Sequence, residues 1–315
     1  MAFNALDAKV MRKDLFICHT PLQIEIAKEI IKKNKLKVFD VIMCADTMTE
    51  QFRYYFNTIC VMSEHSFYID TSKSFLNIFK QIRRLKNNKY DNIYVANIDK
   101  NHVHAIMSVV DFNVLRTFDD GTLNLTPNSR LLGLRKRTLK SKIAYKILGI
   151  NFDTRHVLNL SELHYTIFHN RKNIIDKCEN ITLSLEIELN KNQISSKEIN
   201  IFLGTMFVDA ESKQAEFVAS IRKVLPDNCY FIRHPRDKTN EFSELEAIDG
   251  LQIAEMKIVK LLGMYSKVNL YGFHSTTQFN LMSHKCITNT MFESPLFPSI
   301  RIPNCSFKTI KLKGN

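Results

Sequence analysis

The sequence predicts an α/β protein of two Rossmann-like domains, each built on a parallel sheet. Two observations carry this prediction. In both halves of the chain, short apolar segments rich in β-branched residues alternate with longer amphipathic segments, which is the pattern of a parallel sheet covered by helices on both faces. Between the halves lies a polar segment, "NKNQISSKE", of the kind that forms linkers. We therefore expect one domain at 1–190 and a second at 191–315.

The first half begins its pattern at "DLFICHT" (Asp14 to Thr20), which predicts a strand. The next segment, "PLQIEIAKEIIKKNK", has apolar residues at helical spacing and a proline suited to a first helical turn. The first ten residues carry little pattern, and we expect them to be a leader. Further strands are predicted, with helical segments between most of them, at "VFDVIMCA", "SFYID", "DNIYVANI" and "NVLRTFDD".

A less regular middle runs from Asn124 to about Ser196 and includes "SELHYTIFHNRKNIID". The alternation then restarts, so the second half is expected to be another α/β unit. Its predicted strands are "INIFLGT", "NCYFIRHP", "KVNLYGF" and "KCITNT", and its predicted helices are "AESKQAEFVASIRKVL", "KIVKLLGMYS" and one that begins at "STTQFNLMS".

The composition is that of a soluble globular protein, with 45% hydrophobic and 24% charged residues in 315. No apolar run approaches the roughly 20 residues that span a bilayer, and the N-terminus lacks the build of a secretory signal. The seven cysteines are odd in number and show no metal-ligand spacing. We therefore expect reduced, buried thiols, no bound metal and a cytoplasmic location.

The formal charge of +12 predicts a negatively charged partner. The charge is concentrated in "KQIRRLKNNK" (Lys80 to Lys89) and "RLLGLRKRTLKSK" (Arg130 to Lys142). Because leucines stand among its cations, the second run fits an amphipathic helix on the anionic inner face of the cell membrane. It fits a solvated basic helix face equally well. No nucleic-acid-binding module is recognisable, so no nucleic-acid partner is expected.

Ligands of open parallel sheets bind at the carboxyl ends of strands, and four short motifs stand at predicted strand ends. The motifs are "FDDGT", "LGTMFVDAE", "RHPR" and "GFHSTTQ". Their candidate site residues are Asp119, Asp120 and Gly121; Gly204, Thr205, Asp209 and Glu211; Arg233, His234 and Arg236; and Phe273, Ser275, Thr276 and Thr277.

Each motif has a chemical use and a plainer alternative. Hydroxyls at a helix start bind phosphate well, although they also act simply as helix caps. His234 lies between two arginines and could protonate a leaving phosphate, while an arginine binds that phosphate. A carboxylate could take the proton of an acceptor hydroxyl, although "DDGT" also suits a turn. Phosphate-binding glycine motifs are absent from the sequence, which disfavours ordinary ATP or dinucleotide binding. An Asp-x-Asp pair, with which many metal-dependent sugar transferases hold a divalent ion, is absent as well.

Together, "FDDGT", "HYTIF", "HPR" and "GFHST", in this order, resemble the signature of glycosyltransferase family 52, the lipooligosaccharide sialyltransferases of Gram-negative bacteria. The resemblance runs through most of the chain from about Leu15. It implies a GT-B architecture and an inverting, metal-independent transfer of sialic acid from CMP-sialic acid to a terminal galactose of lipooligosaccharide or capsule glycan. No cofactor besides this donor is implied, and a homodimer is compatible with the family.

The resemblance also implies roles for individual residues. The acid of the family falls on His234, and its base falls on Asp209, with Glu211 as the fallback and Asp120 as a rival. Ser275 and Thr276 would hold the CMP phosphate. The remaining donor-side candidates are Gly204, Thr205, Arg236, Phe273 and Thr277, and the acceptor-side candidates are Asp119 and Gly121.

Two other functions compete with this one. The first is a GT-B hexosyltransferase that uses a UDP-sugar donor in surface glycan synthesis. The second is a basic module without catalytic activity that binds membrane or nucleic acid. Binding of CMP rather than UDP would discriminate against the first. Loss of function in His234→Ala would discriminate against the second.

Overall fold

The computed structural model describes residues 13–125, 138–184, 195–207, 213–237, 239–295 and 307–312. In these residues the chain forms two separate parallel sheets, one in each half. The strands of the first sheet are β1 (Lys13–Cys18), β2 (Phe39–Ala45), β3 (His65–Asp70), β4 (Lys89–Val95), β5 (Asp111–Phe118), β6 (Ser161–Thr166) and β7 (Cys178–Asn180). Those of the second are β8 (Ser195–Leu203), β9 (Cys229–Ile232), β10 (Tyr265–Gly272), β11 (Ile287–Glu293) and β12 (Lys308–Lys311).

Helices cover the faces of both sheets. In the first domain they are α1 (Pro21–Asn34), α2 (Glu50–Cys60), α3 (Phe75–Ile82), α4 (Asn101–Val109), α5 (Leu139–Leu148) and α6 (Thr154–Leu160). In the second domain they are α7 (Gln214–Arg222), α8 (Ala254–Leu261) and α9 (Thr276–Asn280). A 3-10 helix, Gly121–Leu125, follows β5.

The strand order in each sheet determines where a ligand can bind. The first sheet has the order β3-β2-β1-β4-β5-β6-β7, and the second has the order β12-β11-β10-β8-β9. The direction of winding reverses between β1 and β4 in the first sheet and between β8 and β10 in the second. In open parallel sheets the crevice at such a reversal, beyond the carboxyl ends of the strands, is the binding site.

The first strand and helix show how the sequence builds this arrangement. Along β1, alternate residues enter opposite layers, so that Leu15 and Ile17 pack in one core cluster and Phe16 in the other. The Thr20 hydroxyl then caps α1 by accepting the backbone N–H of Gln23, with a proline at the first helical position. This cap starts α1 immediately after β1 and therefore fixes the residues between them at the crevice.

The two domains also contact each other through helices α2 and α8. Ile253, just before α8, packs in a core cluster of the first domain. Its backbone N–H donates to the Tyr55 hydroxyl at 2.9 Å, and the Gln51 side chain donates to the carbonyl of Gln252 at 3.0 Å. The start of α8 is thereby attached to α2.

The prediction of two α/β domains, each with a parallel sheet, is confirmed, and the structure corrects three details. The middle segment that looked irregular contributes β6 and β7 to the first sheet. The basic helix begins at Leu139, whereas most of Arg130 to Lys142 lies outside the described residues. The expectation of buried thiols is wrong for Cys178 and Cys286, which are exposed.

Two other expectations remain untested. The first ten residues and the proposed domain boundary at 190 lie outside the described part of the chain, although the end of the predicted linker already belongs to β8. Within the described residues, the longest apolar helical stretch falls short of what is needed to traverse a bilayer.

Candidate active site

The strand-end motifs of the two domains meet across the crevice. A Cβ atom placed on Gly121, after β5, would lie 2.7 Å from the Thr276 hydroxyl at the start of α9. Within the second domain, a Cβ placed on Gly204 would lie 3.1 Å from the backbone nitrogen of His234. These close approaches bring "FDDG", the end of β8, "HPR" and "HSTT" into one site, as the strand-end rule predicts.

Asp119 lies beneath this site. Its carboxylate is fully buried and accepts hydrogen bonds from the Thr166 hydroxyl at 2.9 Å and the Ile167 backbone N–H at 2.7 Å. The His164 Nε2 atom lies 2.9 Å from it, and the Thr117 hydroxyl lies 2.9 Å from the other ring nitrogen. The predicted contact of Asp119 with the acceptor is therefore corrected, because this carboxylate joins β5 to β6 inside the fold.

Asp120 lies on the opposite side of the chain and reaches the crevice. One carboxylate oxygen accepts the Gln23 amide at 2.8 Å, and the other accepts the Asn97 amide. Gln23 also donates to Asn97 at 2.9 Å and accepts the backbone N–H of His19 at 2.6 Å. The carboxylate is held in one orientation by side chains that follow β1 and β4, at the reversal point of the first sheet.

A pair of histidines lies beside this network. His19 follows β1 and His102 lies in the first turn of α4, and their Nε2 atoms are 2.7 Å apart. Burial, together with the neighbouring His102, Lys100 and Arg236, lowers the pKa of His19 well below its usual value. Burial and Lys100 lower the pKa of His102 to about 4. Both rings are therefore neutral at pH 7, and one donates its proton to the other.

The "RHPR" segment divides its two arginines between structure and site. Arg233 donates to the Thr239 carbonyl and lies over the Phe231 ring, and it is 3.7 Å from the Asp237 carboxylate. Arg236 is exposed at the crevice, and its positive charge helps to lower the pKa of His19 on the opposite side. Arg236 is therefore an exposed cation at the crevice.

His234 is oriented by the backbone of its own turn. The Arg236 N–H donates to the Nδ1 atom at 3.2 Å, which places the proton of the neutral ring on Nε2. Gly204 makes this position possible: its own N–H donates to the Ile232 carbonyl at 2.9 Å, and a side chain there would collide with the Phe231 ring. The glycine at the end of β8 therefore sets the approach of the "HPR" turn.

The hydroxyl motif begins α9 with a full capping box. The Ser275 hydroxyl accepts the Gln278 backbone N–H at 3.2 Å, and the Gln278 side chain accepts the Ser275 N–H at 3.3 Å. The capping role proposed as the plainer alternative for this motif is thus present. Thr277 hydrogen-bonds to Glu255, whose pKa is raised by burial.

Phe273 belongs to the core rather than to the donor site. It is 8% exposed, and its ring lies 5.2 Å from that of Phe217 and 5.4 Å from that of Phe292. Its predicted donor contact is corrected for this reason. Thr205 is partly exposed after β8, whereas Asp209 and Glu211 lie outside the described residues.

Two groups of side chains in the described residues have metal-ligand spacing. The first comprises His19, Cys44 and His102, whose ligand atoms all lie within 4.8 Å of one another. The second comprises Asp40, Glu64 and His65, but the Lys13 ammonium lies 2.9 Å from Asp40 and 3.2 Å from Glu64 and already supplies the positive charge there. The sequence-based expectation of a metal-free site stays a prediction.

Four residues of the site were missed in the sequence: His19, Gln23, Asn97 and His102. The signal for two of them was available, because His19 directly follows β1 and Asn97 closely follows β4. No short-range pattern joins Gln23 to Asp120, since 97 residues separate them.

Comparison with known protein families gives a match over most of the chain. The model of glycosyltransferase family 52 matches residues 37–294. This chain belongs to glycosyltransferase family 52. The predicted family and enzyme class, a glycosyltransferase of the sialyltransferase type, are confirmed.

Two curated relatives cover most of the family 52 chain. A CMP-N-acetylneuraminate:beta-galactoside alpha-2,3-sialyltransferase of Pasteurella multocida is 30% identical over 274 residues, which are 86% of this chain and 87% of the relative. An N-acetyllactosaminide alpha-2,3-sialyltransferase of Haemophilus influenzae is 26% identical over 285 residues, 86% of this chain and 89% of the relative. Among solved structures, the glycosyltransferase of kitacinnamycin aligns with a TM-score of 0.48 at 9% identity, covering 89% of this chain and 80% of that one.

Proposed function

We propose that this family 52 enzyme transfers sialic acid from CMP-sialic acid to the galactose 3-hydroxyl of a lipooligosaccharide or capsule glycan. The observation that carries the proposal is the meeting of "HPR", "HSTT" and "FDDG" at facing strand ends. The donor and the linkage follow the names of the two relatives, both of which are alpha-2,3-sialyltransferases. The transfer inverts the anomeric carbon and uses no metal, as the family resemblance implies.

The second domain binds the donor in this proposal. Arg236 and the start of α9, with Ser275, Thr276 and Thr277, provide a cation, hydroxyls and backbone N–H groups for the CMP phosphate. Thr205, which follows β8, is a further hydroxyl of the second domain that would bind the donor. The anionic phosphate favours the protonated form of His234. As the bond between C2 of the sugar and the phosphate oxygen breaks, Nε2 of His234 gives its proton to the departing CMP.

The first domain presents the acceptor. Asp209, which belongs to the second half of the chain, takes the proton of the galactose hydroxyl while the hydroxyl oxygen forms the new bond to C2, and Glu211 is the fallback for this role. Asp120, held by Gln23 and Asn97, positions the acceptor hydroxyl and is the rival base. Each proton transfer contributes about 10²–10⁴-fold to the rate. The two transfers leave one proton moved from the acceptor to the enzyme and one from His234 to CMP.

The test is transfer from CMP-sialic acid to lactose with EDTA present, for the wild type and for His234→Ala. We expect metal-free turnover that falls at least about 100-fold in His234→Ala, because the acid of the leaving group is lost. His284→Ala, an exposed histidine of the same domain, is the matched control and should keep its activity.

Two outcomes would contradict the proposal. Turnover that requires an added divalent ion would exclude the metal-free reaction. Absence of both turnover and CMP binding would exclude the donor, and a panel of UDP-sugars would then test the hexosyltransferase alternative. The cytoplasmic location and the homodimer stay predictions, which fractionation and light scattering test.

A further inference from the structure

Helix α5 carries a stripe of exposed aliphatic side chains. Leu139 is 73% exposed, Ile143 is 52% exposed and Ile147 is 78% exposed. Residues four positions apart are separated by roughly 40° around an α-helix. The three side chains therefore form one continuous stripe along the ten residues of α5, rather than isolated apolar groups.

The opposite face fixes the direction of this stripe. Tyr145 is buried, stacks on Phe75 of α3 with ring centroids 6.2 Å apart, and donates its hydroxyl proton to the Asn101 side chain at 2.6 Å. Leu148 packs against the core of the first domain. Because Tyr145 and Leu148 hold one face of α5 on the protein, Leu139, Ile143 and Ile147 point away from it.

Lysines lie on both sides of the stripe. Around the helix, Lys142 and Lys146 fall on one side of it and Lys140 falls on the other, and all three are exposed. The sequence of α5, "LKSKIAYKIL", contains no acidic residue. An exposed apolar stripe bordered by lysines is the build of a helix that lies in the surface of an anionic bilayer.

Helix α3 adds to this basic surface. The stack of Phe75 on Tyr145 places α3 beside α5, and the exposed side chains that belong to or follow α3 include Leu76, Lys80, Arg83 and Arg84. The two basic runs of the sequence thus contribute exposed cations to α3 and α5, or to the residues directly after α3, and these two helices lie side by side. The electrostatic attraction that these cations exert is screened within about one Debye length. It therefore acts mainly on a surface that touches the two helices.

We propose that α5 docks the enzyme on an anionic phospholipid bilayer, with Leu139, Ile143 and Ile147 in the boundary between headgroups and acyl chains. This surface is separate from the active site, and the proposal does not depend on the proposed reaction. A second copy of the chain fits less well, because pairing two α5 stripes would bring the lysines of both copies together, and like charges oppose such contacts.

The test is co-sedimentation of the full chain with sucrose-loaded vesicles of phosphatidylcholine, with and without phosphatidylglycerol. We expect the wild type to bind the mixed vesicles and the double variant Ile143→Gln/Ile147→Gln to bind them roughly tenfold more weakly. Leu160→Gln removes a side chain that is 50% exposed on α6 and should bind like the wild type. Replacing Lys140, Lys142 and Lys146 by Gln should abolish the preference for phosphatidylglycerol.

Three results would overturn the proposal. The first is a wild type that does not sediment with the mixed vesicles. The second is a stripe variant, folded by circular dichroism, that binds as tightly as the wild type. The third is a dimer in light scattering that the stripe variant converts to monomer, since a second copy would then cover α5. Transfer to soluble lactose, measured on the same variants, separates a failure of docking from a failure of the proposed reaction.

Discussion

The two sides of the active site are built differently. On the side of the first domain, the groups that surround "FDDG" are buried or held: Asp119 accepts hydrogen bonds inside the fold, and Asp120 is fixed by Gln23 and Asn97. On the side of the second domain, Arg236 is exposed, and the ring of His234 accepts the backbone N–H of Arg236, two residues further along the same turn, at 3.2 Å.

This difference teaches how an enzyme of this build divides its work. A neutral hydroxyl gives little electrostatic attraction, so a site for it must be oriented in advance by fixed polar groups. An anionic nucleotide attracts cations strongly and can complete its own site on binding. In the proposed reaction the first domain would therefore act as a preassembled acceptor wall, and the second as a cationic surface for the donor.

The sharpest test of the acceptor wall is the replacement of Asp119. We expect Asp119→Ala to lower the free energy of unfolding by about 3–5 kcal/mol, because it leaves the partners of a buried carboxylate without an acceptor. Asp120→Ala is the matched control, since Asp120 is only partly buried, and it should lose clearly less stability. Urea denaturation measures both, and equal losses would show that Asp119 is not the structural member of the pair.

The second test separates the rival bases. We expect Asp209→Asn to lower kcat at least about 100-fold, with little change in KM for the acceptor, because it removes the base. Asp120→Asn should raise the acceptor KM and lower kcat far less, because it disturbs a group that positions the hydroxyl. Steady-state kinetics with varied lactose distinguishes them, and the reverse pattern would assign the base to Asp120.

The sequence predicted the strands and helices best where the apolar pattern was long, as in β1, α1 and β2. It missed β6 and β7 because "SELHYT" and "CEN" are short and polar, and they join the sheet through pairing with β5 and with each other. The sequence could not show which of Asp119 and Asp120 is buried, because that depends on their contacts with β6 and α1. The pairing of His19 with His102 likewise depends on distant segments of the chain.

A third test concerns that histidine pair. The folded pKa of His102 is about 4, below the value near 6.5 of an unfolded chain, so the unfolded state binds more protons between these values. Stability should therefore fall on acidification through this window, and His102 should account for about 2 kcal/mol of the loss between pH 7 and pH 5. We expect His102→Gln to weaken the pH dependence by that amount in urea denaturation, whereas the exposed His284→Gln should keep it. An unchanged slope in His102→Gln would show that His102 titrates normally.

The smallest expected effect tests whether the two sides really touch. Gly121 has a φ of +61° and Gly149 has a φ of +69°, so an alanine at either position is strained by about 1–2 kcal/mol. At Gly149 the added Cβ meets nothing within 4 Å, whereas at Gly121 it lies 2.7 Å from the Thr276 hydroxyl. Gly121→Ala and Gly149→Ala therefore introduce similar backbone strain, but only Gly121→Ala also introduces a close contact across the crevice.

We expect Gly121→Ala and Gly149→Ala to lose about the same 1–2 kcal/mol of unfolding free energy from that strain, with only Gly121→Ala raising the KM for CMP-sialic acid. The reason is that the added methyl group displaces Thr276, which would hold the donor phosphate in the proposed reaction. Isothermal titration with CMP measures the same effect without turnover. If Gly121→Ala and Gly149→Ala bound CMP with the same affinity, the start of α9 would tolerate the displacement of Thr276. CMP binding by the second domain would then not depend on the contact of Gly121 with Thr276.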